Sequence, residues 1–321
     1  MIRETALSVL QAIGNTPVVR LNKVVAPGSA DVLVKLEYYN PTGSYKDRLA
    51  LSMIEEAEKR GELRPGMTVV EYTGGSTGSS LAFVCAVKGY RFRVVSSDAF
   101  AKEKLQTMKA FGAELDVIPS KGGQVTPDLV PRMMERAGEI AASGPCYFTD
   151  QLHNRDGAKG YEPIGRELIE QSGEPVHAFC ASVGTSHMLM GVARVLRSLN
   201  PSPRIVALEP ASTPVISKGT SGTHHVEGIG IGFLPPLLDK ALYDEARGID
   251  EAEAREMAWR LAREEGIFAG TSSGMNVAGA CQLARELGPG HTVVTVAVDT
   301  GLKYLAGDLY GQEHHGKTNN C

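Results

Sequence analysis

Runs of five to seven residues rich in Val, Ile, Leu and Phe recur along the chain, at 32–37, 68–72, 92–96, 114–118, 177–181, 204–208 and 292–298. Each is short, largely β-branched or apolar and bounded by polar or turn-forming residues, which predicts a strand. Between them the apolar residues return every three or four positions. That spacing predicts helices at about 47–57, 78–89, 102–112, 128–142, 158–172, 186–199, 251–265 and 273–287. Strands that alternate with helices form parallel sheets covered on both faces. The expected fold class is therefore α/β, with open, twisted, mostly parallel sheets flanked by helices. The strands fall in two groups, 68–118 and 177–298, which predicts two lobes. Ligands in such sheets lie beyond the carboxyl ends of the strands. The glycine-rich segments of the chain fall at those ends. No internal repeat or low-complexity block interrupts the pattern.

Composition narrows the partners. The chain has 321 residues, enough for about two domains. Its net charge of −4, without a Lys/Arg-rich run, argues against a nucleic-acid surface. No stretch approaches the roughly 18 apolar residues of a membrane helix, and the first residues lack a secretory apolar core. The five cysteines, Cys85, Cys146, Cys180, Cys281 and Cys321, are scattered without C-x-x-C spacing. That predicts neither a zinc site nor a disulfide framework, no metal, and a reducing, cytoplasmic location.

The candidate chemistry starts at Lys46. It lies in the turn-rich stretch Asn40-Pro41-Thr42-Gly43-Ser44-Tyr45, just before the helix expected from Asp47. A lysine held there loses hydration, titrates lower and becomes a nucleophile able to form a Schiff base. Alone, it reads first as a solvated surface charge, as most loop lysines are. Three small-residue loops also enter helices: Thr73-Gly74-Gly75-Ser76-Thr77-Gly78, Gly184-Thr185-Ser186-His187-Met188 and Gly270-Thr271-Ser272-Ser273-Gly274. Small residues let backbone N–H groups at a helix start meet an anion closely. The plain alternative for each is turn chemistry with Ser/Thr caps. Two further patterns are set aside. Gly311 to Thr318 matches G-x-x-x-x-G-K-[ST], but it follows a helical-looking 301–310 segment and has no room for a following helix. Gly228-Ile229-Gly230-Ile231-Gly232-Phe233 runs into Leu234-Pro235-Pro236, which does not open a dinucleotide-binding helix.

Together these segments resemble the fold-type II pyridoxal-phosphate enzymes (tryptophan synthase β-like), and within them the cysteine synthase / cystathionine β-synthase family. The resemblance runs through Ile13-Gly14-Asn15-Thr16-Pro17, Asn40 to Arg48, the 73–78 loop, Gln151-Leu152-His153-Asn154, Glu227 to Pro235, Arg263 to Gly274 and Asp299 to Leu305. It implies pyridoxal 5'-phosphate on Lys46, with Gly184, Thr185, Ser186, His187 and Met188 around the cofactor phosphate. Ser272 would face the pyridine nitrogen. Thr73, Gly74, Thr77 and Gln151 would hold a substrate carboxylate, with Gly228 close to the amino-acid substrate. It also implies a smaller mobile domain at 40–152, a larger cofactor-binding domain at 1–39 plus 153–321, and a homodimer.

The resemblance further implies β-replacement on a serine-type amino acid (O-acetylserine, O-phosphoserine or serine) through an α-aminoacrylate. Lys46 would act as general base, and a small nucleophile would add. Alternatives are β-elimination, as in a cysteine desulfhydrase or serine dehydratase, and an inactive binding homologue. The chain departs from the family pattern in two loops. The family usually carries Thr-Ser-Gly-Asn-Thr-Gly where this chain has Gly74 and Ser76. Gly74 is expected to open space near the substrate, and Ser76 to reach the cofactor's phenolic oxygen only through water. The usual Gly-Thr-Gly-Gly-Thr becomes Gly184-Thr185-Ser186-His187-Met188. Ser186 is then expected to replace a lost hydroxyl, and His187 to contact the phosphate or face the helix.

Overall fold

A computed structural model of the chain describes residues 5–123, 126, 128–199 and 201–311. Its strands are β1 (Val18–Arg20), β2 (Asp31–Leu36), β3 (Thr68–Tyr72), β4 (Arg91–Ser97), β5 (Glu114–Ile118), β6 (Cys146–Phe148), β7 (Ala178–Ser182), β8 (Arg204–Pro210), β9 (Glu245–Ile249) and β10 (Thr292–Ala297). Its helices are α1 (Lys46–Arg60), α2 (Ser76–Lys88), α3 (Lys102–Ala110), α4 (Leu129–Ala142), α5 (Asp156–Lys159), α6 (Glu162–Ser172), α7 (His187–Leu196), α8 (Val215–Lys218), α9 (Glu251–Arg260) and α10 (Thr271–Leu287).

Two sheets carry the fold. One runs β1-β2-β10-β7-β8-β9, with β1 antiparallel to β2 and every other neighbour parallel. The other, β5-β4-β3-β6, is parallel throughout. The expected α/β class is therefore observed. β10 aligns with β2 from Thr292 opposite Asp31 to Ala297 opposite Leu36, so both strands end side by side. All seven expected strands are present. The three unexpected ones, β1, β6 and β9, are two three-residue pieces and the polar run Glu245-Ala246-Arg247-Gly248-Ile249.

Several helices differ from expectation for local reasons. The 158–172 run is broken between α5 and α6. The carbonyl of Arg48 approaches Gly160 so closely that a methyl group there would overlap it, and Pro163 favours a fresh helix start. The 251–265 run finishes in a π turn, Leu261–Glu265, closed by left-handed Gly266. The 301–310 segment holds only a 3-10 turn, Gly301–Tyr304. The phosphate-loop-like pattern up to Thr318, and Cys321, lie outside the described residues.

The largest apolar cluster joins Leu49, Met53 and Ile54 of α1 to Leu81 and Val84 of α2, Phe179 of β7 and Leu189 of α7. A second packs α10 and α9 on the other face of the six-stranded sheet. Cys85, Cys180 and Cys281 are buried in these cores, and Cys146 is half-buried. A third cluster lies under α4, on the four-stranded sheet, and takes in Ile231 from the far side of the cleft. Among the described residues no helix is long and apolar enough to cross a membrane, and no group of three or more His, Cys, Asp or Glu could hold a metal ion.

Candidate active site

Lys46 is the first residue of α1, not the residue before it. The chain leading to it is tied down strand-like. Tyr45 donates its N–H to Val298 O (3.0 Å), Thr300 donates to Gly43 O (3.0 Å), and Ser44 bridges Asp299. Gly43 is required there: its φ is +72°, and a side chain would press on Thr300. The Ser44 hydroxyl accepts the Lys46 N–H (3.2 Å), and the Asp47 carboxylate takes both the N–H and the hydroxyl of Thr42 (2.8 and 2.5 Å). These bonds set the start of α1 just beyond the end of β10. Lys46 is 8% exposed. Burial lowers its amine to about 8, against the opposing charges of Asp299 and Glu71.

Two residues later, Arg48 anchors the helix in a buried ionic cluster. Its guanidinium grips Glu37 with two bonds of 2.8 Å and Glu167 with bonds of 2.8 and 2.7 Å. Lys35 completes the set, 2.8 Å from Glu167. Arg48, Glu37 and Lys35 are 4%, 0% and 0% exposed, so two cations and two carboxylates balance almost out of contact with water.

The predicted carboxylate loop follows β3. Thr77 Oγ1 donates to Gln151 Oε1 (2.8 Å), and the Thr73 hydroxyl accepts the Gly75 N–H (3.1 Å). Glu71, fully buried, receives the Gln151 N–H (3.1 Å) and the Thr149 hydroxyl (2.7 Å). Thr73, Thr77 and Gln151 are thus brought together at the N-terminus of α2.

Gly74 does not leave open space. The ring of Phe100, from the turn after β4, lies where a side chain on residue 74 would project. Phe100 packs in the same cluster as Ile231. Ser76 turns to protein partners, with its Oγ 3.3 Å from Asp299 Oδ2 and 3.2 Å from Lys303 Nζ. Asp299 also accepts the Tyr304 hydroxyl (3.0 Å). Lys104 of α3 pairs with Glu227 across the cleft. Replacing Gly74 by serine should cost stability by about 1–3 kcal/mol through overpacking. In a Phe100→Ala background that cost should largely vanish. Urea midpoints of the four proteins measure the coupling. An equal penalty in both backgrounds would remove the ring from the explanation.

The predicted phosphate loop follows β7. A small cavity there is lined by Tyr45, Lys46, Ser182, Gly184, Thr185, Ser186, His187, Met188 and Leu189. Gly184 and Gly228 meet: a methyl group on Gly184 would overlap the Gly228 carbonyl, and Gly230 donates to Val183 O (3.1 Å). Ser186 has φ +68°, a strained value for serine, and its buried hydroxyl has no partner. Met188 faces the core. His187 is 1% exposed, bonded to Thr185 Oγ1 (2.9 Å) and Asn154 O (2.8 Å). Its two ring nitrogens are therefore committed to protein. Ser272 lies in the first turn of α10, beside Gly270, whose N–H donates to Asp299 O (3.2 Å).

Sequence reasoning missed Phe100, Glu71, Asn154 and Lys303, and gave Asp299 no role. Asp299 and Lys303 sit inside a matched motif, and Glu71 directly precedes the glycine loop. Phe100 had no signal beyond its proximity to the end of a strand.

The family model "Pyridoxal-phosphate dependent enzyme" matches residues 9–299. A cysteine synthase of Staphylococcus aureus is 42% identical over 312 residues, covering 97% of this chain and 99% of its own. Among solved structures, O-ureido-L-serine synthase aligns with TM-score 0.88 and 36% identity, over 98% of both chains. A cysteine synthase from Entamoeba histolytica aligns with TM-score 0.91 and 32% identity, over 98% of this chain and 94% of that one.

Proposed function

The chain belongs to the cysteine synthase family of pyridoxal-phosphate dependent enzymes, and from that premise we propose that it catalyses β-replacement on a serine-type amino acid. The observation that carries this reading is Lys46, buried on the cavity that the 184–188 loop lines, with its amine lowered to about 8.

The residues fit the cofactor. The orphaned, buried Ser186 hydroxyl lies in a cup at the start of α7. Gly184 is needed in that loop because a methyl group there would overlap the Gly228 carbonyl. Gly184, Thr185 and Ser186, with the backbone of His187 and Met188, hold the phosphate at the positive end of α7. Ser272 offers the ring nitrogen a neutral hydroxyl, not a carboxylate, which suits elimination and replacement at the β-carbon. When bound, pyridoxal phosphate supplies the electron sink that makes the α-hydrogen of an amino acid acidic.

The chain's own residues supply the rest. The substrate carboxylate meets the Thr73 hydroxyl, the NH2 of the Gln151 amide and the N-terminus of α2, while Thr77 orients that amide through its bond to Oε1. Gly74 brings the backbone close, and Gly228 borders the substrate from the other sheet. Lys46 Nζ takes the α-proton. The β-substituent then leaves and a small nucleophile adds at the same carbon. Closure of the 40–152 segment, which carries the whole four-stranded sheet, excludes water during these steps. The Lys104–Glu227 pair and the packing of Ile231 against the apolar cluster under α4 support that role, since both cross the cleft. A cytoplasmic homodimer belongs to the same reading.

Phe100 over Gly74 and the Ser76–Lys303 contact reshape the substrate loop. With the likeness to O-ureido-L-serine synthase, they support a nucleophile other than sulfide. The test mixes cofactor-loaded protein with O-acetylserine, O-phosphoserine, serine or cysteine, with and without sulfide, thiols and amines. A new amino acid formed only when donor and nucleophile are both present is the expected result. Pyruvate released without any nucleophile would replace this reading with β-elimination. A protein that stays colourless with added cofactor would replace it with a binding module.

A further inference from the structure

The histidine in the phosphate cup has fixed hydrogen-bond directions. His187 Nε2 lies 2.8 Å from the Asn154 carbonyl oxygen, and Nδ1 lies 2.9 Å from Thr185 Oγ1. A carbonyl oxygen only accepts, so Nε2 carries hydrogen. In a neutral ring Nδ1 is then a bare acceptor, and the Thr185 hydroxyl spends its single hydrogen on it. Thr185 therefore turns only lone pairs to the cavity that it lines. Lone pairs repel a phosphate. The adjoining Ser186 hydroxyl is buried and unpartnered, a donor left free for an anion.

We propose that His187 takes up a proton from solvent as a phosphate group enters the 184–188 loop. Nδ1–H then donates to Thr185, and Thr185 turns its own hydrogen to the phosphate. The His187 side chain is thus a positioning group acting through Thr185, not itself a phosphate contact. The inference rests on the reading of this loop as the site of the cofactor phosphate.

The surroundings make the ring wait for an anion. Burial comes first, then the charges of Lys46 on α1 and Arg194 on α7, against the hydrogen bond that the ring donates to the Asn154 carbonyl; together they lower the ring to about 4. On the third side, α5 packs Gly157 against the ring, and the neighbouring Asp156 is engaged by Arg60 and Lys159. Among the described residues no carboxylate bonds to the imidazole. A phosphate dianion supplies the missing opposite charge and favours the charged ring.

The test titrates the full-length protein, freed of cofactor, with pyridoxal phosphate in buffers of different ionisation enthalpy, while visible absorption reports loading. His187→Gln repeats both hydrogen bonds through its amide but cannot gain a proton. Wild type should take up as much as about one proton more per cofactor than His187→Gln near pH 6–7, and its affinity should fall more steeply as pH rises. Equal proton uptake in two normally coloured proteins would overturn the inference alone. Failure of wild type to colour would instead overturn the cofactor reading. Should the variant not fold, NMR of carbon-13-labelled histidine in wild type decides. The His187 titration must move upward on loading, and an unmoved titration refutes the proposal.

Discussion

Lys46→Ala protein should be folded, colourless and inactive. It loses the amine that holds the cofactor and moves the α-proton, so turnover should fall by at least about 10³-fold. Visible absorption after addition of pyridoxal phosphate and dialysis checks the first loss, and product formation the second. Lys46→Arg should be equally inactive, since a guanidinium stays charged and cannot serve as nucleophile. Persistent colour in either variant would move the attachment site elsewhere.

The pH dependence of loading gives the same prediction a sign. Burial lowers the Lys46 amine to about 8. Only the free base attacks, so the rate of cofactor attachment should rise with pH by roughly tenfold per unit below about 8 and level off above it. A solvated lysine would place the break two units higher. The folded state also holds this amine with a lowered pKa, which disfavours its charged form. Removal of the side chain should therefore leave the denaturation midpoint no lower than that of wild type. That outcome separates loss of chemistry from loss of fold.

The largest expected stability effect belongs to Arg48. Arg48→Met leaves Glu37 and Glu167 facing Lys35 alone, two carboxylates against one cation in a nearly dry site. An uncompensated buried charge costs about 3–5 kcal/mol, read as a large drop in denaturant midpoint. The same cluster makes a second variant informative. Glu37→Gln with Arg48→Met restores balance, since the Lys35–Glu167 pair remains. The double variant should therefore be more stable than Arg48→Met alone. A further loss on adding Glu37→Gln would mean that hydrogen-bond geometry, not charge balance, dominates. Burial opposes ionisation of Glu167, yet Arg48 and Lys35 hold its carboxyl at about 2. Its contribution is present above the ordinary carboxylate range and is lost as pH falls toward 2.

The alternation of long apolar strands with amphipathic helices was legible because both periods are strong at 68–72, 92–96 and 292–298. β1 and β6 were not, because three residues carry no period. β9 was hidden because Glu245, Arg247 and Gly248 give it the look of a loop. The break between α5 and α6 depends on a distant carbonyl, that of Arg48, which no local pattern records. The loops of the site were visible as glycine and hydroxyl runs at strand ends. The occupant of a missing side chain's space was not. A glycine at 74 reads as room, and only the fold reveals that Phe100, 26 positions later, lies over it. His187 was visible, but its direction is set by the carbonyl of Asn154, 33 positions earlier, which no local pattern records.

The buried cysteines carry a consequence of their own. Burial, the first cause in each case, pushes the thiols of Cys85 and Cys180 up to about 12 and that of Cys281 to about 11. Disulfide exchange and peroxide attack both proceed through the thiolate. At neutral pH only about one part in 10⁴ to 10⁵ of such thiols is ionised, and none of the three faces solvent. Whatever nucleophile the cleft accepts, these three sulfurs stay out of mixed disulfides and off the oxidation ladder.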